Sequence, residues 1–404
     1  MRILFVNAYF MPETIAFSHL EKDLIEGLVS AGHEIEVICP TPTRSVSDKV
    51  YKHYKSIKSE DLYDGKVHVR RFSAPREGKN PLVRAFRYFW CNLREYQIGK
   101  KYKDIDAVFA VSTPPTQGLL AGKLSKKLNC SFIYSLQDIF PDSLVTTGLA
   151  KEGSWIWKIG RWIERKTYGY AKRIIVISES CKRNLLNKGV SEDKLSLISN
   201  WVDIEQIKPV SREDNKLIDE LGIDSSISLV VYAGNFGAAQ GADIVLKVAE
   251  KLRDKDDIQF IIFGGGAEYG AAVEYVKEHE LTNVMINPLL PQDRVSEVYS
   301  LGDVALITCK PGVGNSGMPS KTWNIMACNT PIIASFDTDS DMAEILTSSD
   351  AGKCVEAGNV GALVQEIERA LGNKTQEHDL REYVREHADR QICTTKYIDI
   401  FSRK

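Results

Sequence analysis

The chain lacks most of the short signals that assign a function at sight. Its eight cysteines stand far apart, at 39, 91, 130, 181, 309, 328, 354 and 393, and none forms a C-x-x-C pair. That spacing excludes a zinc ribbon and a disulfide framework, and it reads as small buried thiols in a reducing compartment. No apolar run approaches the roughly 18 residues that span a bilayer. No cluster of Asp and His suggests a metal. The first strand is not followed by G-x-G-x-x-G, so a dinucleotide fingerprint is absent. A net charge of −2 argues against a dedicated nucleic-acid binder and leaves any membrane contact to a local patch. Met1 leads directly into an apolar stretch with no leader, which sets the expectation of a cytoplasmic protein. What is present is a soluble globular composition, 43% hydrophobic and 26% charged, over 404 residues. That length exceeds one ordinary core and predicts two domains.

The pattern is strand–helix–strand from the first residue. Arg2 to Val6 reads as a strand, the loop Asn7 to Ile15 carries Glu13, and Leu20, Leu24, Ile25 and Leu28 mark one face of a helix. Glu34 to Cys39 is the next strand. Others follow at Val67–Phe72, Ala107–Val111, Phe132–Leu136 and Arg173–Ile177. Such a series implies a parallel sheet with its ligand beyond the carboxyl ends of the strands. Asp138, in Gln137-Asp138-Ile139-Phe140-Pro141-Asp142, would lie on that rim, either as a ligand-facing acid or as a turn residue. Asn200-Trp201-Val202-Asp203 reads as the crossing to a second half, where the pattern restarts at Leu229–Ala233. Glycine-rich turns then follow strands at 234, 264 and 312. Singly they only permit tight turns. Together at one rim they favour a bound nucleotide diphosphate. The last ~25 residues are expected to form one helix packing back on the first half.

The most informative stretch is Pro311 to Ser335. An apolar strand, Val304 to Ile307, runs into the Gly312–Gly317 loop, then Pro319, Ser320 as a candidate N-cap, and a helix from Lys321. Backbone N–H groups in such a loop and at a helix N-terminus attract anions. Lys321 opposes its own helix dipole by a few tenths of a kcal/mol. A phosphate between lysine and helix end removes that conflict; the alternative is a solvated side chain.

Two helices mix basic and aromatic residues. Pro81 to Lys103 carries Arg84, Arg87, Arg94, Lys100, Lys101 and Lys103, opposed only by Glu95, with Phe86, Tyr88, Phe89 and Trp90 between them. It reads as a membrane-surface helix contacting lipid through Arg84, Arg87, Phe89, Trp90 and Lys100. In Trp155 to Lys172 the stripe Trp155, Ile159, Trp162 and Ile163 reads as core-facing with a solvated basic face, the alternative being a second membrane-surface helix.

These stretches together resemble the retaining family-4 glycosyltransferases of GT-B fold. The resemblance rests on Tyr9 to Glu13, Ala31 to Val37, Gln137 to Asp142, Asn200 to Asp203, Tyr232 to Gly241, Pro319-Ser320-Lys321 and Met326 to Ala334. Within the family it is similar to the subgroup that assembles O-antigen and capsule repeat units, including L-fucosamine transferases. The resemblance implies an α/β chain of two doubly wound, Rossmann-like parallel-sheet domains with an interdomain cleft. Residues 1–200 would bind the acceptor, with a C-terminal helix at 386–404 packing back on them, and 201–385 would bind the nucleotide sugar. It implies donor contacts at Gly234, Asn235, Gly237, Gln240, Gly264, Gly265, Leu290, Ser316, Gly317, Pro319, Ser320 and Asn324. Lys321, Asp138 and Glu13 would be catalytic, and His33 structural.

The chain departs from the family pattern in places. A spaced pair of glutamates common in the family is replaced by Ser316 and Asn324. An arginine and a lysine of the first loop in the second domain are replaced by Asn235 and Gln240. A histidine before the acid is Gln137, and a glycine after the first strand is Ile15. Asn324 would then meet the ribose by neutral hydrogen bonding, and Lys321 with helix N-termini would carry the diphosphate. The implied reaction moves a sugar, N-acetyl-L-fucosamine in that subgroup, from a UDP-sugar to a polyprenyl-diphosphate-linked saccharide. It would proceed with retention, without metal or cofactor, at the inner face of the cell membrane. The proton would go to Asp138, to Glu13 or to the phosphate itself. A sugar-nucleotide 2-epimerase and a non-catalytic nucleotide-sugar-binding partner are the rival readings.

Overall fold

A computed structural model describes residues 1–15, 17–44, 46–77, 81–146, 148–372 and 379–402, apart from the side chains at 81, 82 and 316. The backbone forms two compact units, Met1–Ser199 with Cys393–Lys404, and Asn200–Ile392. The first is built on β1 Arg2–Val6, β2 Glu34–Pro40, β3 Ser59–Leu62, β4 Val67–Phe72, β5 Ala107–Val111, β6 Ser131–Leu136, β7 Arg173–Val176 and β8 Leu195–Leu197. Their order is β3-β4-β2-β1-β5-β6-β7-β8, parallel except for the edge strand β3. The short edge strands β3 and β8 escape the sequence pattern because SEDL and LSL hold too few apolar residues to show a period. The second unit contains β9 Ser228–Asn235, β10 Ile258–Gly265, β11 Val284–Pro288, β12 Val304–Thr308, β13 Ile332–Phe336 and β14 Gly352–Glu356. These lie in the order β11-β10-β9-β12-β13-β14, all parallel. Strand order reverses between β1 and β5 in one sheet and between β9 and β12 in the other. Those are the switch points where doubly wound sheets bind ligands.

Both faces of the second sheet are covered, and the strand alternation shows it. Leu229, Val231 and Ala233 join one layer with Trp323, Ile325 and Met326. Val230 and Tyr232 join the opposite layer with Val245, Val248 and Leu363. The C-terminal stretch is two helices, Leu380–His387 and Arg390–Ser402, instead of the single one expected. Between them Ala388 O accepts from Val202 N at 3.0 Å, and Arg390 N donates to Val202 O at 2.9 Å. Those backbone groups are spent on a bridge to the Asn200–Asp203 crossing and cannot continue a helix. From Cys393 the chain belongs to the first unit, where Tyr397 and Phe401 lie 6.4 and 5.9 Å from Phe109.

Both basic helices differ from their sequence reading. In Pro81–Gly99, Arg87 is fully buried and cannot be a membrane contact. Its Nε donates to Pro75 O at 3.1 Å, its Nη2 to Thr43 Oγ1 at 3.0 Å, and it sits over the Tyr9 ring. Glu95 is equally buried, takes a hydrogen bond from Gln117 Nε2, and burial pushes its carboxyl up to about 8. It is no counter-charge to the basic face. Trp90 is half-buried and donates its indole N–H to Ser73 O. Arg84, Phe89 and Lys100 are exposed, as is Phe86.

The Trp155–Tyr170 helix is reversed from expectation. Trp155 is 72% exposed, Ile159 51% and Trp162 49%. Its buried face is Gly160, Glu164, Thr167 and Tyr168. Small residues choose that face. A Cβ at Gly160 would lie 2.6 Å from Pro141, one at Gly118 2.4 Å from Thr167, and one at Gly122 2.5 Å from Tyr170. Close approach of backbones is worth more here than insertion of an indole between them.

Candidate active site

The three glycine turns lie at the carboxyl ends of β9, β10 and β12, which are neighbours in one parallel sheet. Phe236 anchors the first turn. It is buried between Tyr232 and Tyr269, with its N–H on Gly265 O at 2.6 Å. Gly264 exists to admit that ring, since a Cβ there would stand 2.7 Å from both Phe236 and Tyr269. It is a packing glycine, whereas Gly265 is partly open. Asn235 is exposed and donates through Nδ2 to Gln240 Oε1 at 3.4 Å, bridging Gly237. Leu290 is half-buried beyond β11, packed against the core.

Lys321 occupies the switch point. It opens the helix after β12, and its Nζ donates to Ala233 O at the end of β9, at 3.4 Å. The ammonium stands 4.3 Å from the Tyr232 ring centroid, a cation–π contact. A Cβ at position 234 would lie only 3.0 Å from Nζ, so glycine there leaves room for the cation. Among the described residues Lys321 makes no ion pair, and desolvation lowers its pKa to about 8. The amine retains N–H groups for an anion that the protein itself does not supply.

Other parts of the anion reading are corrected. The N–H groups of Gly312 and Gly314 donate to Asp337 Oδ1 and Oδ2 at 2.9 and 2.7 Å, and that of Val313 to Lys310 O. They point at a buried carboxylate and cannot cradle a phosphate. Ser320 stands at the N-cap position but is already helical, at φ −59° and ψ −27°, and makes no side-chain cap bond. The helix Lys321–Ala327 has seven residues, so its dipole adds little. The site therefore narrows to Lys321 with the segment Gly317, Met318, Pro319 and Ser320. Asn324 is partly exposed one turn further on the same helix face. The Ser316 side chain lies outside the described residues.

On the first unit, Ser112 Oγ accepts from both Gln137 N and Asp138 N, at 3.0 and 3.1 Å. Ser135 Oγ meets Gln137 Nε2 and the Tyr397 hydroxyl. Two strand ends and the C-terminal helix thus fix the segment that carries Asp138. Its side chain is exposed at the rim, yet enough protein surrounds it that desolvation raises its carboxyl pKa. Glu13 is nearly fully buried. Its Oε1 accepts from Thr43 N and Arg44 N at 2.7 and 2.8 Å, and its Oε2 from Phe10 N at 3.3 Å. Burial still raises its pKa against those bonds.

This geometry makes Glu13 an anchor between two loops. Glu13→Ala strands three backbone donors and is expected to cost about 2–4 kcal/mol in urea unfolding. Were Glu13 the base, Glu13→Gln would abolish turnover while keeping more of the stability than Glu13→Ala.

Asp337 was not singled out from sequence. An aspartate directly after the strand Ile332–Phe336 was the available signal, the same one that marked Asp138. Among the described residues no three of His, Cys, Asp and Glu come together as a metal site.

Two doubly wound parallel-sheet units in one chain are the plan of the GT-B glycosyltransferases. The model of Glycosyltransferase Family 4 matches residues 22–206, and that of Glycosyl transferases group 1 matches 213–387. The chain belongs to this family of glycosyltransferases. WcaI of Escherichia coli K12, named for colanic acid biosynthesis glycosyl transfer, is 24% identical across 99% of both chains. WbjE of Pseudomonas aeruginosa, named as a glycosyltransferase, is 24% identical over 70% of each. Sucrose-phosphate synthase from Thermosynechococcus elongatus superposes with a TM-score of 0.77, at 16% identity, covering 99% of this chain and 98% of that one. Anabaena HepE in complex with UDP gives 0.72 at 14% identity, with full coverage of both.

Proposed function

We propose that the protein is a retaining glycosyltransferase of surface-polysaccharide assembly, of O-antigen, capsule or lipopolysaccharide type. It takes a sugar from a UDP-sugar and gives it to a hydroxyl of a lipid-linked saccharide. The observation that carries this reading is Lys321, a cation at the switch point of the second unit with no counter-charge among the described residues. The departing nucleoside diphosphate gains negative charge as the glycosidic bond breaks, and a preplaced ammonium favours that moment over the ground state. The UDP in the HepE complex and the polysaccharide role in the name of WcaI support the donor class and the setting. N-acetyl-L-fucosamine is the transferred sugar favoured by the subgroup resemblance.

Within this reading the second unit binds the donor and the first the acceptor. Asp138 orients the acceptor hydroxyl or takes its proton, because its carboxyl is raised and open while that of Glu13 is engaged. Transfer is metal-independent, with Lys321 supplying the charge. Among the described residues no helix is long and apolar enough to cross a membrane. Contact with the inner membrane face is peripheral, through Arg84, Phe89 and Lys100.

A panel of UDP-sugars incubated with membrane extract and EDTA tests the proposal. UDP release with a labelled lipid product is expected. Epimerised sugar nucleotide without UDP would identify an epimerase, and no turnover would leave a binding partner. Loss of activity in EDTA alone would overturn metal independence, and an inverted anomer in the product would overturn retention.

A further inference from the structure

The outward face of the Trp155–Tyr170 helix is used by nothing described so far. Trp155, Ile159 and Trp162 recur at i, i+4 and i+7 and form one exposed stripe, with Ile156 at its edge. Lys158, Arg161 and Arg165 follow one another along one flank, and Lys166 closes the far end. Beside that flank opens a cavity of about 330 Å³, lined by Arg161, Glu164, Arg165, Tyr168, Lys188 and Lys194, among others. Two of its cations are neutralised within the protein. Buried Glu164 holds Arg161 and Lys188, and Asp142 also holds Lys188, at 2.7 Å. Lys194 donates to Tyr168 O at 3.3 Å. Among the described residues Lys158, Arg165, Lys166 and Lys194 make no ion pair.

We infer that this helix face and its cavity form a docking site for an anionic phospholipid bilayer, the stripe entering the acyl boundary and the cavity taking a headgroup phosphate. The charge pattern selects this occupant. Lysine is depleted from the buried centres of protein interfaces. Tryptophan flanked by unpaired Lys and Arg is the composition of a helix lying at a lipid interface. The protein as a whole carries a net charge of −2, so the positive patch is local. The cavity is large enough for a glycerophosphate group, at the lower end of ligand-site volumes. The helix also lies in the same layer as Pro81–Gly99, with the Gln117–Leu128 helix between them. The inference stands apart from sugar transfer, and it assigns lipid contact to a second helix.

Flotation of the full chain with vesicles of phosphatidylcholine, alone or mixed with phosphatidylglycerol, tests it. Binding is expected only to the anionic vesicles. Lys158→Ala with Arg165→Ala should weaken it about 25-fold, at about fivefold per charge. Trp155→Ala with Trp162→Ala should weaken it roughly tenfold or more. Both variants should keep the wild-type melting curve and UDP release with a soluble acceptor. Phe86→Ala with Phe89→Ala reports on the other helix separately, so either face can fail alone. Undiminished binding by the Trp variant overturns the inference. So does a wild type that binds millimolar soluble glycerol phosphate but floats with neither kind of vesicle, which would mark a free-phosphate site. A wild-type dimer that the Trp substitutions dissociate would make a second copy the occupant and overturn it equally.

Discussion

Lys321→Met is expected to abolish most transfer while making the protein more stable. Loss of one preorganised group that stabilises developing charge costs roughly 2.7–4 kcal/mol, or about 100- to 1,000-fold in turnover. The gain in stability has the same origin. Folding lowers the Lys321 pKa to about 8 by desolvation, and no carboxylate among the described residues compensates. Below pH 8 the amine is protonated in both states, and the folded state carries the desolvation cost. Between about 8 and 10.4 only the unfolded state holds the proton, so stability rises with pH across that window. Methionine removes the cost, and its half-buried setting limits the expected gain at pH 7 to about 1–3 kcal/mol. Urea unfolding at pH 7 and 9.5 should show a pH-dependent increment in wild type that the variant lacks. UDP should raise the wild-type melting temperature and leave the variant near its own baseline. Donor affinity should fall as pH rises through 8. Lys321→Arg should restore only part of turnover, because a planar fork approaches phosphate differently. Normal transfer by the methionine variant would reduce Lys321 to a helix residue and remove the main support for the proposed donor site.

Asp337→Ala should do the opposite to stability. The carboxylate is buried and accepts from Gly312 N and Gly314 N at 2.9 and 2.7 Å. Removing it leaves two backbone donors without their acceptor, at about 1–3 kcal/mol each where the N–H stays buried. We expect a loss of about 2–4 kcal/mol in unfolding free energy, with a raised KM for the donor as the loop before Lys321 loosens. Asp337→Asn should recover part of the stability, since one amide oxygen can still accept while the NH2 faces the second N–H. An alanine variant with an unchanged denaturation midpoint would mean that the loop holds itself without the aspartate.

Much of the fold was legible from local pattern. The apolar run of β9, the restart of strand–helix–strand after Asn200 and the glycines at strand ends follow from local pattern and punctuation alone. Lys321 was legible too, as the sole cation between Gly312 and Ser335. The anion cradle was not. Whether the N–H groups of Gly312 and Gly314 face a ligand depends on Asp337, which the chain delivers from the next strand.

The sequence by itself determined the central strands and most of the helices, and which residues stand at their carboxyl ends, but not the short edge strands β3 and β8 or the break in the C-terminal helix. What it determined depends on the spacing of apolar side chains, a property of short stretches. Only the tertiary structure decided the inward face of each mixed helix. Arg87 and Glu95 went in, and Trp155 and Trp162 stayed out. A helix with large apolar residues around much of its circumference has more than one plausible buried face. The choice fell to Gly118, Gly122 and Gly160, where the chain leaves room for another backbone to approach. Period is written locally, but its phase against the sheet is set by the shape of what it packs on.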